Sequence, residues 1–338
     1  MENYQHPSQT YSKDQRYESV LQEVNVLLQE SEQNAIQDLE IPEWPVILIM
    51  GAPRSGSTIL YQYLAHTSCF SYPTNLLSRF YNSVYIGMRI QQLLTQKDQF
   101  GELIEFQNRA TRYESDLGKT QGALSPHEFS YFWRQFFPVH QTETNYLPQD
   151  VLEKIDTSTF LKELAAMEYL QQKPVMMKGM LVNFNINFLL KILKNVIFIH
   201  VKRQPAHNMR SLLQAREKYN GTREEGYSFR PPEYRELCQL PPEDQVAGQL
   251  FSINKAVEDA LCFVSPQQAM TVQYEEFCQN PEQTFEALRT RLASQGYEAV
   301  NPSEGLPDGF TNRNHQHSNQ GELTKLAERY KRFTEESE

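Results

Sequence analysis

The stretch VILIMGAPRSGSTIL, Val46–Leu60, decides how this chain folds. Five apolar residues in succession read as a strand buried on both faces, and Gly51 ends it. Gly56 follows five positions later, then Ser57 and Thr58 at the head of a helix-compatible run, 57–66. Both glycines permit the positive φ angles and close backbone approach that an anion-cradling turn requires. A nucleotide-hydrolase loop has the order glycine, four residues, glycine, lysine, then serine or threonine. Here Ser57 occupies the lysine position, and Arg54 is the loop's only cation. The amides of Arg54, Ser55, Gly56, Ser57 and Thr58, aided by the dipole of the helix they open, still predict an anion site.

Three more apolar runs lie downstream: PVMMK (174–178), VIFIHV (196–201) and MTVQY (270–274), each followed by a helix-compatible stretch. Strand-then-helix repetition predicts an α/β fold, a three-layer parallel sheet with helices on both faces. The pattern gives residues 1–40 as a polar segment and one amphipathic helix carrying Val20, Leu21, Val24, Leu27 and Leu28. Residues 41–338 read as a single domain with a mostly helical insertion at about 67–172 and an irregular, proline-rich one at about 220–243. A helix over 245–264 and a charged helix at the end complete the reading.

A formal net charge of -10 argues against broad nucleic-acid or anionic-membrane binding. Cys69, Cys238, Cys262 and Cys278 form no CxxC pair, which suits a reducing cytoplasm. No run approaches the roughly 20 apolar residues of a membrane span, and MENYQHPSQTYSKDQRY (1–17) lacks the apolar core of a secretory signal. Oligomeric state is not readable.

A second motif is VIFIHVKRQPAHNMRSLLQAREKY, 196–219. It delivers Arg203 at a strand's C-terminal end, where ligands bind in open parallel sheets. Pro205 suits the first turn of the next helix, and Ser211 lies on that helix. Arginine and hydroxyl together can hold a second phosphate, distinct from the one in the loop. Lys202 and Arg203 also occupy the strand end at which a magnesium-dependent hydrolase carries its aspartate, so no metal is expected.

These segments resemble the sulfotransferases that use 3′-phosphoadenosine 5′-phosphosulfate, in motif style the bacterial, Golgi and tyrosylprotein branch. VMMKGMLVNFNINFLLKILKNVIFIHVKRQP (175–205) looks like that branch's lysine strand, helix and arginine strand. VQYEEFCQNPEQTFEAL (272–288) is similar to its later Tyr-Glu-Asp-[Leu/Phe] segment, and the shared elements cover about half the chain in order. The resemblance implies a P-loop-type 5′-phosphosulfate-binding loop at APRSGST (52–58), and Arg203 with Ser211 on the 3′-phosphate. It implies Arg54 on the leaving phosphate and Lys178 on the transferring group. Tyr274 is expected beside the nucleotide or in the core. Arg313, in NRNHQHSN (312–319), is expected as an extra phosphate ligand on a loop that folds over the nucleotide; His315 and His317 there make only a weak metal pair. The acceptor is a hydroxyl of a small molecule, lipid or saccharide.

The general base has two candidates. The tyrosylprotein branch has a glutamate about twenty residues beyond the loop; CFSYPTNLLSRF (69–80) offers Asn75 there and no carboxylate. The cytosolic branch uses a histidine further on, and the matching region SPHEFSYFW (125–133) holds His127 and Glu128. Pro126 suits a helix start, whose dipole would favour Glu128, and an imidazole titrates near neutrality. His127 is the expected base, with Glu128 its rival or orienting partner. Phe129, Tyr131, Phe132 and Trp133 are expected in the core, with some open to the acceptor. A P-loop kinase or nucleotide hydrolase, or an inactive module that binds the donor, remain as alternatives.

Overall fold

The computed structural model describes residues 11–96, 113–298, 301–315 and 319–335. Its main sheet contains β1 (Val46–Gly51), β4 (Met176–Lys178), β5 (Val196–Lys202) and β6 (Ala269–Gln273) in the order β4-β1-β5-β6, all parallel. A separate antiparallel hairpin joins β2 (Ser115–Asp116) to β3 (Lys119–Thr120).

Alternation along each strand sorts the core into two layers. Val46, Leu48, Met50, Met177, Val196 and Phe198 pack on one face with Phe129, Phe132, Trp133 and Phe160. Ile47, Ile49, Met176, Ile197, Ile199 and Val201 pack on the other with Leu60, Leu64, Phe277 and Phe285. Both faces are therefore dry, and continuous apolar runs are the pattern such burial demands. The three-layer α/β expectation holds.

From β1 the chain crosses to β4 on one side and returns to β5 on the other. Strand order reverses at β1, and the crevice outside the C-terminal ends of β1, β4 and β5 is where such sheets bind ligands.

Three local expectations differ from the structure. The insertion read as mostly helical also carries the β2–β3 hairpin, whose turn residues Leu117 (φ 47°) and Gly118 (φ 90°) are both left-handed. That geometry matches the twist of the flanking strands. The first helix, Gln15–Ile36, seats on Leu21, Asn25, Glu32 and Ile36, while Val20 and Leu27 of the apolar stripe are exposed. Glu32 explains its own burial: it accepts the Tyr85 and Ile86 amides (2.6 and 3.0 Å) at the start of helix Val84–Thr95. Pro126 does not begin a helix. That helix is Ser130–Phe136, so His127 and Glu128 lie in the chain leading into it, and Phe129 is left-handed (φ 54°).

Candidate functional site

The loop between β1 and helix Ser57–His66 is held from outside by asparagines. Asn183 accepts the Gly51 amide (3.0 Å) and donates to the Gly51 carbonyl (2.9 Å). Asn208 donates to the Pro53 carbonyl (2.8 Å). Gly51 (φ 129°) lies so close to β5 that a Cβ would sit 2.5 Å from the Val201 carbonyl oxygen. Gly56 (φ 97°) is the N-cap of the helix, and a Cβ there would sit 2.3 Å from the Tyr274 ring. No side chain caps this helix. Its first amides are thus available to a ligand at the positive end of the dipole.

Four cations converge on that helix end. Arg54, left-handed at φ 67°, lines the cavity above the loop, and its Nε donates to Ser211 Oγ (3.3 Å). Lys178, at the end of β4 and only 4% exposed, donates to Thr58 Oγ1 (2.7 Å) and Glu128 Oε1 (2.9 Å). An ammonium has three N–H groups, so one remains for the cavity. Arg203, beyond β5, lies over the Tyr274 ring (4.7 Å) and donates to the Arg54 carbonyl (3.2 Å). Arg313 is the fourth; its amide donates to the Tyr274 hydroxyl (3.2 Å). Burial lowers the Arg203 pKa and raises that of Tyr274.

Glu128 is the carboxylate on the cavity wall, its side chain about half exposed, opposite Thr58 and beside Gly118 of the hairpin. The wall continues through Tyr113, Leu117, Met180, Tyr227 and Phe229. The hairpin is tied to the 220s lobe by the Tyr227 hydroxyl, which donates to the Leu117 carbonyl (3.4 Å), and to helix Pro205–Asn220 by Lys218, which pairs with Asp116 (2.5 Å).

Cavity lining thus includes Arg54, Gly56, Ser57, Thr58, Glu128, Lys178, Arg203, Tyr274 and Arg313 of the sequence-expected set. Ser55, Ser211 and His127 lie outside the lining. Ser55 is buried with its hydroxyl unpartnered, and Ser211 engages Arg54 instead. His127 Nδ1 accepts the Phe129 amide (2.9 Å), which places its proton on Nε2. Burial pushes its pKa down to about 4, against an opposing pull from Glu128 and with Arg79, Lys178 and Lys119 adding to the depression. Asn75 stitches the hairpin, donating to the Thr120 (3.1 Å) and Gly122 (2.8 Å) carbonyls. A carboxylate cannot donate those bonds.

None of Phe129, Tyr131, Phe132 and Trp133 lines the cavity. Three are core, and Tyr131 pairs with Lys13 and Glu18 of the N-terminal region. His317 lies outside the described residues. Among the described residues no cluster of three metal-ligating side chains forms, and no helix is long and apolar enough to cross a membrane.

The donor set fits a nucleotide with separated anionic groups: open helix amides, serine and threonine hydroxyls, and arginine forks on two sides. The comparisons agree with the fold that carries it. Sulfotransferase STF9 from Mycobacterium avium superposes with a TM-score of 0.51 at 15% identity, over 92% of this chain and 80% of that one. Sulfotransferase STF1 from Mycobacterium tuberculosis H37Rv gives 0.50 at 13% identity, over 96% and 87%. No curated protein matches the chain. The model described as "Sulfotransferase family" matches residues 45–295, a span that runs from the loop through β4, β5 and β6, and the chain therefore belongs to the sulfotransferase family.

Proposed function

We propose that the chain moves a sulfuryl group from 3′-phosphoadenosine 5′-phosphosulfate to a hydroxyl of a small-molecule, lipid or saccharide acceptor, in a reducing cytoplasm. The observation that carries the reading is Lys178, which joins Thr58 of the loop to Glu128 within one cavity (2.7 and 2.9 Å). On this reading one cation links the donor grip to the acceptor-side carboxylate.

The co-substrate supplies an activated sulfuryl group, whose S–O bond to the 5′-phosphate breaks as the acceptor oxygen bonds to sulfur. The helix amides with Ser57 and Thr58 bind the 5′ end, and Arg54 neutralises charge on the departing phosphate. Lys178 directs its remaining N–H toward the transferring oxygens. Arg203, stacked on Tyr274, binds the 3′-phosphate through a planar fork, and Arg313 adds a second cation. Glu128 takes the acceptor's proton. It lines the cavity, whereas the His127 ring is turned to the Phe129 amide. Positioning and electrostatics carry such a reaction, as they do phosphoryl transfer.

Calorimetric titration with 3′-phosphoadenosine 5′-phosphate, ADP and magnesium-ATP tests this. The expected order is tightest binding to the 3′-phosphorylated nucleotide, with its advantage over ADP lost in Arg203→Ala. A preference for magnesium-ATP sinks the reading in favour of a P-loop kinase. Binding without transfer across a broad panel of alcohols leaves an inactive donor-binding module.

A further inference from the structure

Arg203 has a carboxylate for a neighbour that it does not touch. Glu275 lies in the first turn of helix Tyr274–Gln279. Its Oε1 accepts the Gln204 amide (3.0 Å) and the Asn314 Nδ2 (2.7 Å). The same Asn314, buried at 4% exposure in the short turn Arg313–His315, accepts Arg203 Nε through Oδ1 (2.8 Å). A neutral amide thus bridges a cation and an anion. Its two ends are spent on opposite duties, one accepting from the cation and the other donating to the anion.

We infer that Asn314 is a positioning residue for anion recognition, holding Arg203 by its Nε edge and keeping Glu275 off the guanidinium. Resting on the Proposed function reading, this arrangement sets how strongly the protein selects a 3′-phosphorylated nucleotide over one without that phosphate.

Geometry and charge point the same way. A guanidinium has five N–H groups in a fixed plane. The Nε bond to Asn314 and the Nη1 bond to the Arg54 carbonyl fix that plane from two sides, and the Tyr274 ring supports its face. The remaining N–H groups are left for the cavity that Arg203 lines. A carboxylate in Asn314's place would accept from the same Nε but bring a negative charge to it. An incoming phosphate would then compete with a resident anion, and the new carboxylate would also face Glu275.

The test compares wild type, Asn314→Asp and Asn314→Ala by calorimetric titration with two probes, 3′-phosphoadenosine 5′-phosphate and ADP. Asparagine and aspartate have nearly the same shape, so Asn314→Asp keeps the packing, and melting temperatures check that both variants fold. The 3′-phosphorylated probe is expected to bind roughly tenfold or more weaker in Asn314→Asp and by a smaller factor in Asn314→Ala. ADP is expected to change by less than about twofold. A wild type that prefers the 3′-phosphorylated probe, with both variants keeping that preference, overturns the inference. So does an equal loss for both probes, which marks a merely structural asparagine. A wild type without the preference overturns the donor assignment itself, and the inference falls with it.

Discussion

The loop between β1 and helix Ser57–His66 and the segment 125–129, which sends Glu128 into the facing wall of the same cavity, are built by different means. The loop is backbone-made: two glycines with positive φ, an uncapped helix and asparagine clamps leave amides open to the cavity. The facing segment is side-chain-made. Glu128 reaches in from an irregular approach to a helix, placed by Lys178 and by the hairpin packed beside it. Backbone geometry is set by a local run of residue types, whereas side-chain placement across a cavity depends on what other elements bring there. The loop should therefore be brittle to small steric changes and the facing segment to chemical ones.

Gly56→Ala strikes the brittle side and has the largest expected effect. Alanine is strained at φ 97°, and its Cβ would fall 2.3 Å from the ring of Tyr274, which supports Arg203 and whose hydroxyl accepts the Arg313 amide. Binding of 3′-phosphoadenosine 5′-phosphate should weaken by on the order of a hundredfold. Gly221→Ala separates strain from contact. Gly221 is also left-handed (φ 81°), but a Cβ there meets nothing within 4 Å. That variant should lose about 1 kcal/mol of stability in denaturant unfolding and bind nucleotide as wild type does. If the two variants bind equally well, the loop does not depend on the close approach to Tyr274.

Glu128→Gln strikes the other side with a smaller expected effect. The amide keeps the size and can still accept from Lys178, but it cannot take a proton. The turnover rate should fall by roughly a hundredfold while nucleotide affinity stays within about threefold. A parallel loss of affinity would mean that Glu128 orders Lys178 and the loop rather than serving the acceptor.

This division also explains what could be read from the sequence. VILIM, VIFIHV and the two glycines carried their structure locally, so the sheet, the loop and Arg203's strand-end position were legible. Asn183 and Asn208 were not, because their partners Gly51 and Pro53 lie 132 and 155 positions away and an asparagine carries no mark of such an assignment. Asn314 escaped in the same way. The hairpin was missed because its strands are two residues each, too short for an alternation to register. The aromatic run 129–133 was expected mostly in the core, and Phe129, Phe132 and Trp133 are there; that some rings would also open to the acceptor did not follow, because density alone does not say which way a ring points. The wall comes from Tyr113, Tyr227 and Phe229, scattered through the insertions.

His127→Asn has the smallest expected effect and sharpens the comparison furthest. The folded protein holds the imidazole neutral, because burial lowers its pKa from 6.5 to about 4. The unfolded chain takes up the proton near pH 6.5 and the folded one only near 4. Above 6.5 this difference costs nothing; as pH falls from 6.5 towards 4 it progressively favours unfolding. Asparagine can accept the Phe129 amide from the same position, since such side chains bond the backbone two residues on, and it does not titrate. The fall in melting temperature between pH 7.5 and 5.0 should then be smaller in the variant than in wild type, by about 2–4 °C for a chain of this size. It should not vanish, because His200 remains. That histidine is buried beside Asn254, and burial holds its pKa near 4 against the bond to that amide. Identical pH slopes would show that His127 is not held neutral. Turnover at pH 7.5 decides the chemistry in the same variant: a rate within about threefold of wild type leaves the proton with Glu128. A hundredfold loss, with Glu128→Gln unharmed, would transfer the base to the histidine and require its ring to turn away from Phe129 when substrates bind.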